Sequence, residues 1–144
     1  MNFVRYFLTG LSTRRWNDTA IFFLRLFIGA MMLTHGIGKI QQYDYLVGSF
    51  PDPLGIGSAT SFALITIAEV GFSVAIMIGI FTRLSAIGLA FGMFVATFVA
   101  FPDKSFADGE LSFVYMGIYI FLIISGGGEY SLDRLFFAAG QDDK

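Results

Sequence analysis

Four apolar runs, Thr19–Ile40, Ser58–Phe81, Leu84–Phe101 and Leu111–Ser125, take up most of this chain and decide its class. The first two are long enough for the roughly 20 helical residues that a bilayer core demands, and the third is adequate. The fourth is short by itself; its span reads from near Phe106 to the glycines Gly126, Gly127 and Gly128. None of the runs has the period-2 alternation of a barrel strand, so helices are the spanning element. Composition agrees. Of 144 residues, 56% are apolar and only 14% are charged, where about 25% charged is usual in a soluble domain. A soluble fold of this length keeps roughly 30% of its chain surface exposed, too much for a mean hydropathy of +0.72. The 18 Phe residues argue equally against disorder. The expected architecture is an all-α membrane protein, a four-transmembrane-helix bundle forming a single domain over 1–144. Its helices fall at about 19–40, 58–81, 84–101 and 107–125.

Lys and Arg set the orientation. Arg5, Arg14, Arg15, Arg83, Arg134 and Lys144 would share one side, against Lys39 and Lys104 on the other. This places the N- and C-termini in the cytoplasm, with residues 126–144 as a cytoplasmic tail. Phe3, Phe7 and Leu11 recur at helical spacing beside Arg5, Arg14 and Arg15, so residues 1–18 read as an interfacial segment on the inner leaflet. The loop from Gly48 to Gly57 is apolar, and Pro51 and Pro53 bar a regular helix in it. It reads either as a lid dipping over the bundle or as a plain surface connection, with Ser58 available to cap the second helix.

Several chemistries drop out at once. A net charge of −2 offers no basic surface for nucleic acid. The absence of Cys removes disulfides, iron–sulfur clusters and thiolate metal sites, and a lone histidine cannot give bis-histidine haem ligation. No metal site and no catalytic residue is assigned, and no cofactor is expected to be bound by this chain alone.

What stands out is charge inside the spans. Each such residue costs about 2.5–3.5 kcal/mol at the bilayer centre on insertion scales. The candidates for a polar, ligand-binding core are Arg25, His35, Glu69 and Tyr115, with Lys39, Glu110 and Tyr119 secondary. On a helical wheel Lys39 and His35 lie at about −40° and −80° from Arg25, with Gly29 and Gly36 nearby, so this face should look into the bundle. From the helical rise, Arg25 comes within reach of Glu69, and an Arg25–Glu69 ion pair is the expectation. Lys39, at the outer end, is expected to snorkel or to meet Glu110. Tyr115 and Tyr119 stand one turn apart on the fourth helix and serve either packing or the polar core. Ser85, Gly88, Gly92 and Ala96 form a small-residue stripe suited to close helix packing. The glycines at 126–128 lack the spacing of a phosphate loop and read as a helix terminator.

Taken together, these residues resemble the DoxX family of small four-helix bacterial membrane proteins. The likeness is carried by Leu24-Arg25-Leu26, by His35-Gly36 with Lys39 three residues on, by the Leu54-Gly55-Ile56 loop and by Glu69. It continues through Gly79-Ile80-Phe81-Thr82-Arg83-Leu84-Ser85-Ala86, Met93, Ala96 and Gly109-Glu110-Leu111, and closes with Ser125 to Asp133. It covers about residues 20–135. Departures are Gly57 where Pro is common, three glycines where Gly-Pro-Gly is frequent, and Phe72 where a second glycine often follows the glutamate.

The resemblance implies a bacterial inner-membrane location and a link to thiosulfate:quinone oxidoreductase subunits and to membrane oxidoreductase complexes that handle oxidative stress. It points to an accessory or quinone-interacting subunit of a membrane oxidoreductase system. Phe-rich helices would line a quinone slot, His35 would donate to the quinone, Arg25 would orient Glu69, and a redox partner protein would supply the electrons. Relatives in the wider superfamily act as chaperones or cargo receptors, which leaves a non-catalytic scaffold or assembly factor open. A small-solute transporter is also open, and four helices would then need a homo-oligomer. Under every reading the lipid bilayer is a partner.

Overall fold

The computed structural model describes residues 14–100 and 105–138 and is all-helical across them. Helix α1 covers Arg14–Gln41, a short α2 covers Tyr43–Leu46, α3 covers Ser58–Ile78, α4 covers Thr82–Phe98, α5 covers Phe106–Ser125 and α6 covers Leu132–Ala138. Helices α1, α3 and α5 are long and apolar enough to cross a membrane, and α4 is a shorter apolar helix. Of the expected N-terminal interfacial segment, residues 1–13 lie outside the described residues; Arg14–Asp18 are the first turn and more of α1. Residues 101–104 and 139–144 also lie outside.

Helix α1 packs on α3, α3 on α4 and α4 on α5, while α1 and α5 touch only over a short stretch. The result is a four-helix ring with one loosely closed seam. Its interior is small: Ile28, Met32, Ile76, Leu89, Tyr119 and Leu122 fill it. Its outer surface carries Phe23, Phe27, Leu64, Ile67, Phe91 and Ile124 facing outwards. This inversion of the soluble pattern suits a hydrocarbon solvent, where helices satisfy all backbone hydrogen bonds internally.

The ends of the helices depart from the sequence reading. Helix α3 stops at Ile78, not Phe81, because Gly79 takes a left-handed conformation (φ 77°) and closes a Schellman-type end. There the Gly79 N–H donates to Ala75 O and Ile76 O, and the Ile80 N–H to Ala75 O. Helix α4 therefore starts at Thr82 and ends at Phe98. Ser58 does not cap α3; the cap position is Gly57, and its N–H is taken by Asp52 from the preceding loop.

Residues 126–138 are no free tail, because they fold back across the Gly79 end of the bundle. Gly126 (φ 73°) ends α5, and the chain then turns so that Asp133 accepts the backbone N–H groups of Phe81 (2.6 Å) and Thr82 (2.8 Å). Asp133 thus caps α4 from 51 positions away, favourable for a carboxylate at a helix start. The same contact holds Phe81 in a left-handed conformation (φ 47°), costly for a residue with a Cβ. The Asp133 N–H returns a bond to Gly79 O (2.8 Å), and Glu129 N–H donates to Asp18 on α1 (3.2 Å).

Arg25 is the anchor of this knot. It is wholly buried, its Nη2 donates to Tyr130 O at 2.5 Å, and its guanidinium lies 5.6 Å from the Phe22 ring centroid. A Cβ on Gly79 would collide with Arg25 Nη1, so glycine is demanded there both by φ and by space. We expect Gly79→Ala to destabilise the bundle by at least the roughly 1–2 kcal/mol of the left-handed backbone. Gly71→Ala, at a helical position with open space around it, should be close to neutral. Thermal unfolding in detergent, followed by size-exclusion chromatography, checks both.

Candidate functional site

The site begins with a close helix approach. Gly36 on α1 sits against α3 so tightly that a Cβ there would come within 2.7 Å of Val70 Cγ2 and 3.2 Å of Glu69 Cβ. Lys39, three residues on along the same helix face, is thereby carried onto Glu69. Its Nζ donates to Glu69 Oε1 at 2.7 Å and Oε2 at 2.6 Å. Glu69 is 2% exposed, so the carboxylate is neutralised inside the bundle by a partly buried ammonium. Charge pairing of this kind is what makes an ionised carboxylate tolerable in a bilayer.

This overturns the expected Arg25–Glu69 pair. Arg25 is committed at the opposite end, to the segment that folds back over Gly79. Lys39 neither snorkels away nor meets Glu110, which lies exposed on α5.

The pair borders a cavity of about 500 Å³ between α3 and α4, lined almost wholly by apolar side chains. Phe72 forms its aromatic wall, the largely exposed Phe91 stands at its outer rim, and Gly88 and Gly92 make its floor on α4. Phe72, where the family often has glycine, fits because Gly88 faces it: a Cβ on Gly88 would collide with the Phe72 ring. The small-residue stripe of α4 therefore makes room for rings as well as for helices.

The loop before α3 borders the cavity. Phe50, Pro51 and Pro53 line it, while Leu54 and Ile56 at its edge stay exposed, so the loop lies over the cavity mouth without sealing it. Asp52 holds the lid's shape, accepting the N–H groups of Ile56 (2.9 Å) and Gly57 (2.7 Å) and the Ser61 hydroxyl (2.8 Å). The Gly57 N–H and then the Ser61 hydroxyl hold the Asp52 carboxyl below its ordinary value.

His35 and Tyr115 stand apart from this cavity. Their rings meet edge to face at 5.7 Å across the α1/α5 seam, where the imidazole is exposed. The expected orientation of His35 into the bundle is corrected: it lies at the flank of the charged face, and the short α1–α5 contact leaves that flank open. Tyr119, one turn along α5, is wholly buried and stacks on Tyr115 at 6.3 Å. Of the expected site residues, then, the structure brings Glu69 and Lys39 to one cavity, His35, Tyr115 and Tyr119 to a line of rings, and leaves Arg25 and Glu110 elsewhere. Sequence reasoning does not pick out Phe72, Phe91 or Asp52 as site residues. Phe72 alone carries a signal, as a bulky residue in place of a family glycine.

Removing either member of the ion pair strands a buried charge. Lys39→Leu or Glu69→Leu should each lower stability by about 3–5 kcal/mol, and the double variant should recover most of the loss. Unfolding in bicelles by steric trapping measures the cycle. A Glu69→Leu defect rescued by Arg25→Leu instead would contradict the assignment.

Comparison with known proteins supports the architecture. The DoxX family model matches residues 20–102. The inner membrane protein YqjF of Escherichia coli is 29% identical over 128 residues, covering 85% of this chain and 95% of that protein. An uncharacterized protein of Haemophilus influenzae is 28% identical over 128 residues, covering 80% and 89%. An uncharacterized membrane protein of Mycobacterium tuberculosis is 30% identical over 129 residues, covering 77% of each. No solved structure matches the chain. With a family match over more than half of its length and several apolar helices able to span a bilayer, the chain is a multi-pass inner-membrane protein and belongs to the DoxX family.

Proposed function

We propose that this protein binds a quinone, or an amphiphile of quinone-like shape, in the lidded cavity between α3 and α4, as an accessory subunit of a membrane oxidoreductase system. The single observation that carries this reading is a ring-lined, apolar cavity of about 500 Å³ with one ion pair on its wall. Ligand sites of this kind are mostly apolar, with a few polar groups that fix orientation. The Lys39 ammonium is the donor for a carbonyl oxygen, and Glu69 is the carboxylate able to exchange a proton beside it. Phe72 would back a flat ring, with Phe91 at the rim and the loop from Phe50 to Ile56 over the mouth. A bound quinone would supply two-electron redox chemistry that no side chain here has. The chain contains no cysteine, so in this reading the electrons come from a redox partner protein.

Orientation belongs to the same proposal. Arg83 and Arg134 gather at the Gly79 end, and under the positive-inside rule this supports reading that end as the cytoplasmic one. The lidded cavity then lies toward the outer leaflet.

The test is organic extraction of the protein purified in native nanodiscs, with quinone quantified against total lipid. Wild type should carry quinone well above the bulk lipid ratio. Ala96→Phe, which fills the cavity, should reduce it about tenfold or more, a loss of about 1.4 kcal/mol of binding. Wild type at the bulk lipid ratio contradicts the reading and turns attention to the scaffold alternative.

A further inference from the structure

The Gly79 end of the bundle carries a second hollow, of about 510 Å³ and open to its surroundings. Helix α4 begins and α5 ends on its wall, at Thr82 and Ser125, so it lies at the depth where two spans leave the hydrocarbon. Its polar side is made by Arg83 and Arg134, by Thr82 and Ser131, and by the glycine turn after α5. That turn lies directly against the polar groups. A Cβ on Gly126 would come within 3.1 Å of Arg83 Nε, and one on Gly127 within 2.8 Å of Thr82 Oγ1 and 2.9 Å of Ser131 Oγ. The Ser131 hydroxyl is spent, donating to Gly128 O at 2.7 Å, whereas Thr82 Oγ1 is buried with no hydrogen-bond partner among the described residues.

The charges of this wall are unevenly committed. Arg134 pairs with Glu129 at 3.0 Å, and both Asp133 oxygens accept backbone N–H groups, from Phe81 and Thr82. Arg83 has no carboxylate partner among the described residues, and its one hydrogen bond there is long, Nη2 to Ile124 O at 3.4 Å. A guanidinium has five N–H donors in a fork that fits two phosphate oxygens at once, so most of the capacity of Arg83 is open. Arg25 Nη1 and Ser131 Cβ crowd the same point beside Gly79, so a further positive charge stands behind this wall.

The rim, by contrast, is apolar. Phe81, Leu84 and Phe137 are largely exposed, and the Phe81 and Phe137 rings stand 6.2 Å apart. Exposed rings beside arginines at the ends of spans match the interfacial zone of a bilayer. A soluble anion has no use for such a rim. A lipid does, because its acyl chains must pass from the polar wall into hydrocarbon.

We propose that this hollow binds the headgroup of an anionic phospholipid. Arg83 holds the phosphate, with Arg134 beside it, and the first acyl carbons run along Leu84 and Phe81. Basic hollows between spans recognise lipid headgroups through the same chemistry. The site is independent of the quinone cavity, at the other end of the bundle, and fits whichever leaflet that end faces.

The experiment is saturation binding of radiolabelled dioleoyl-phosphatidylglycerol to the full chain, delipidated in neutral detergent. Arg83→Gln removes an exposed charge whose one bond is long, so the bundle should stay monodisperse while the lipid binds about tenfold or more weakly. Arg134→Gln, a second exposed position on the same wall, should weaken binding several-fold by itself. Arg15→Gln takes the same charge from the exposed first turn of α1, which does not line the hollow, and should leave binding unchanged. Unlabelled phosphatidylglycerol should displace the label, and inorganic phosphate at matched ionic strength should not. Undiminished binding in Arg83→Gln overturns the proposal, as do equal losses in Arg83→Gln and Arg15→Gln, which mark general surface charge. Displacement by inorganic phosphate overturns it too, because the site is then one for a free anion, and so does equal competition from phosphatidylcholine.

Discussion

One buried ion pair organises this membrane bundle. A lone Glu69 or a lone Lys39 in hydrocarbon would cost several kcal/mol, and together they become a neutral, hydrogen-bonded unit. The pairing is possible only because Gly36 lets α1 approach α3 to van der Waals contact. Once α1 and α3 are fixed by that contact, the register of the first helix is set. Glu69 then stands on the wall of the cavity toward α4, on the same helix stripe as the buried Thr66 and Ser73.

The two ends of the bundle do different work. At the Gly79 end, Arg25, Tyr130, Gly79 and Asp133 tie α1, the α3–α4 turn and the C-terminal segment into one knot. Arg25 Nη2 and the Asp133 carboxylate are spent on backbone bonds there, and glycine and aromatic neighbours crowd the guanidinium. At the Lys39 end the helices stand apart enough to leave a cavity, covered by a loop that its own aspartate holds in shape. Both ends have a hollow of similar volume, and the one at the Lys39 end is the more apolar and has the buried carboxylate on its wall.

The spans are readable in the sequence because bilayer thickness imposes a length, and little besides a membrane crossing calls for apolar runs that long. So is the importance of Glu69, since an acid in mid-span needs a partner. Which partner is not readable. A helical wheel puts Arg25 and Lys39 within about 40° of one another, and the rise alone favours Arg25, the nearer of the two to mid-span. The choice is made by the C-terminal segment, which folds back to occupy Arg25, a contact across 105 positions. Asp133 acting as a cap for α4 is hidden for the same reason: local capping rules look a few residues ahead, not 51. His35 escapes the wheel because a wheel gives the angle of a side chain but not where the neighbouring helix ends its contact. The lid is half-legible, its prolines excluding helix while the direction of its apolar side chains depends on the cavity they fill.

The most direct test of the account is a distance measurement inside the membrane. Rotational-echo solid-state NMR on the protein in lipid bilayers, with ¹⁵N in lysine and arginine side chains and ¹³C in glutamate carboxyls, reads which cation holds Glu69. Strong dephasing of the Glu69 carboxyl by Lys39 Nζ is expected, matching contacts of 2.6 and 2.7 Å, and Lys39→Leu should abolish it. Dephasing by the Arg25 guanidinium, or by neither cation, would contradict it.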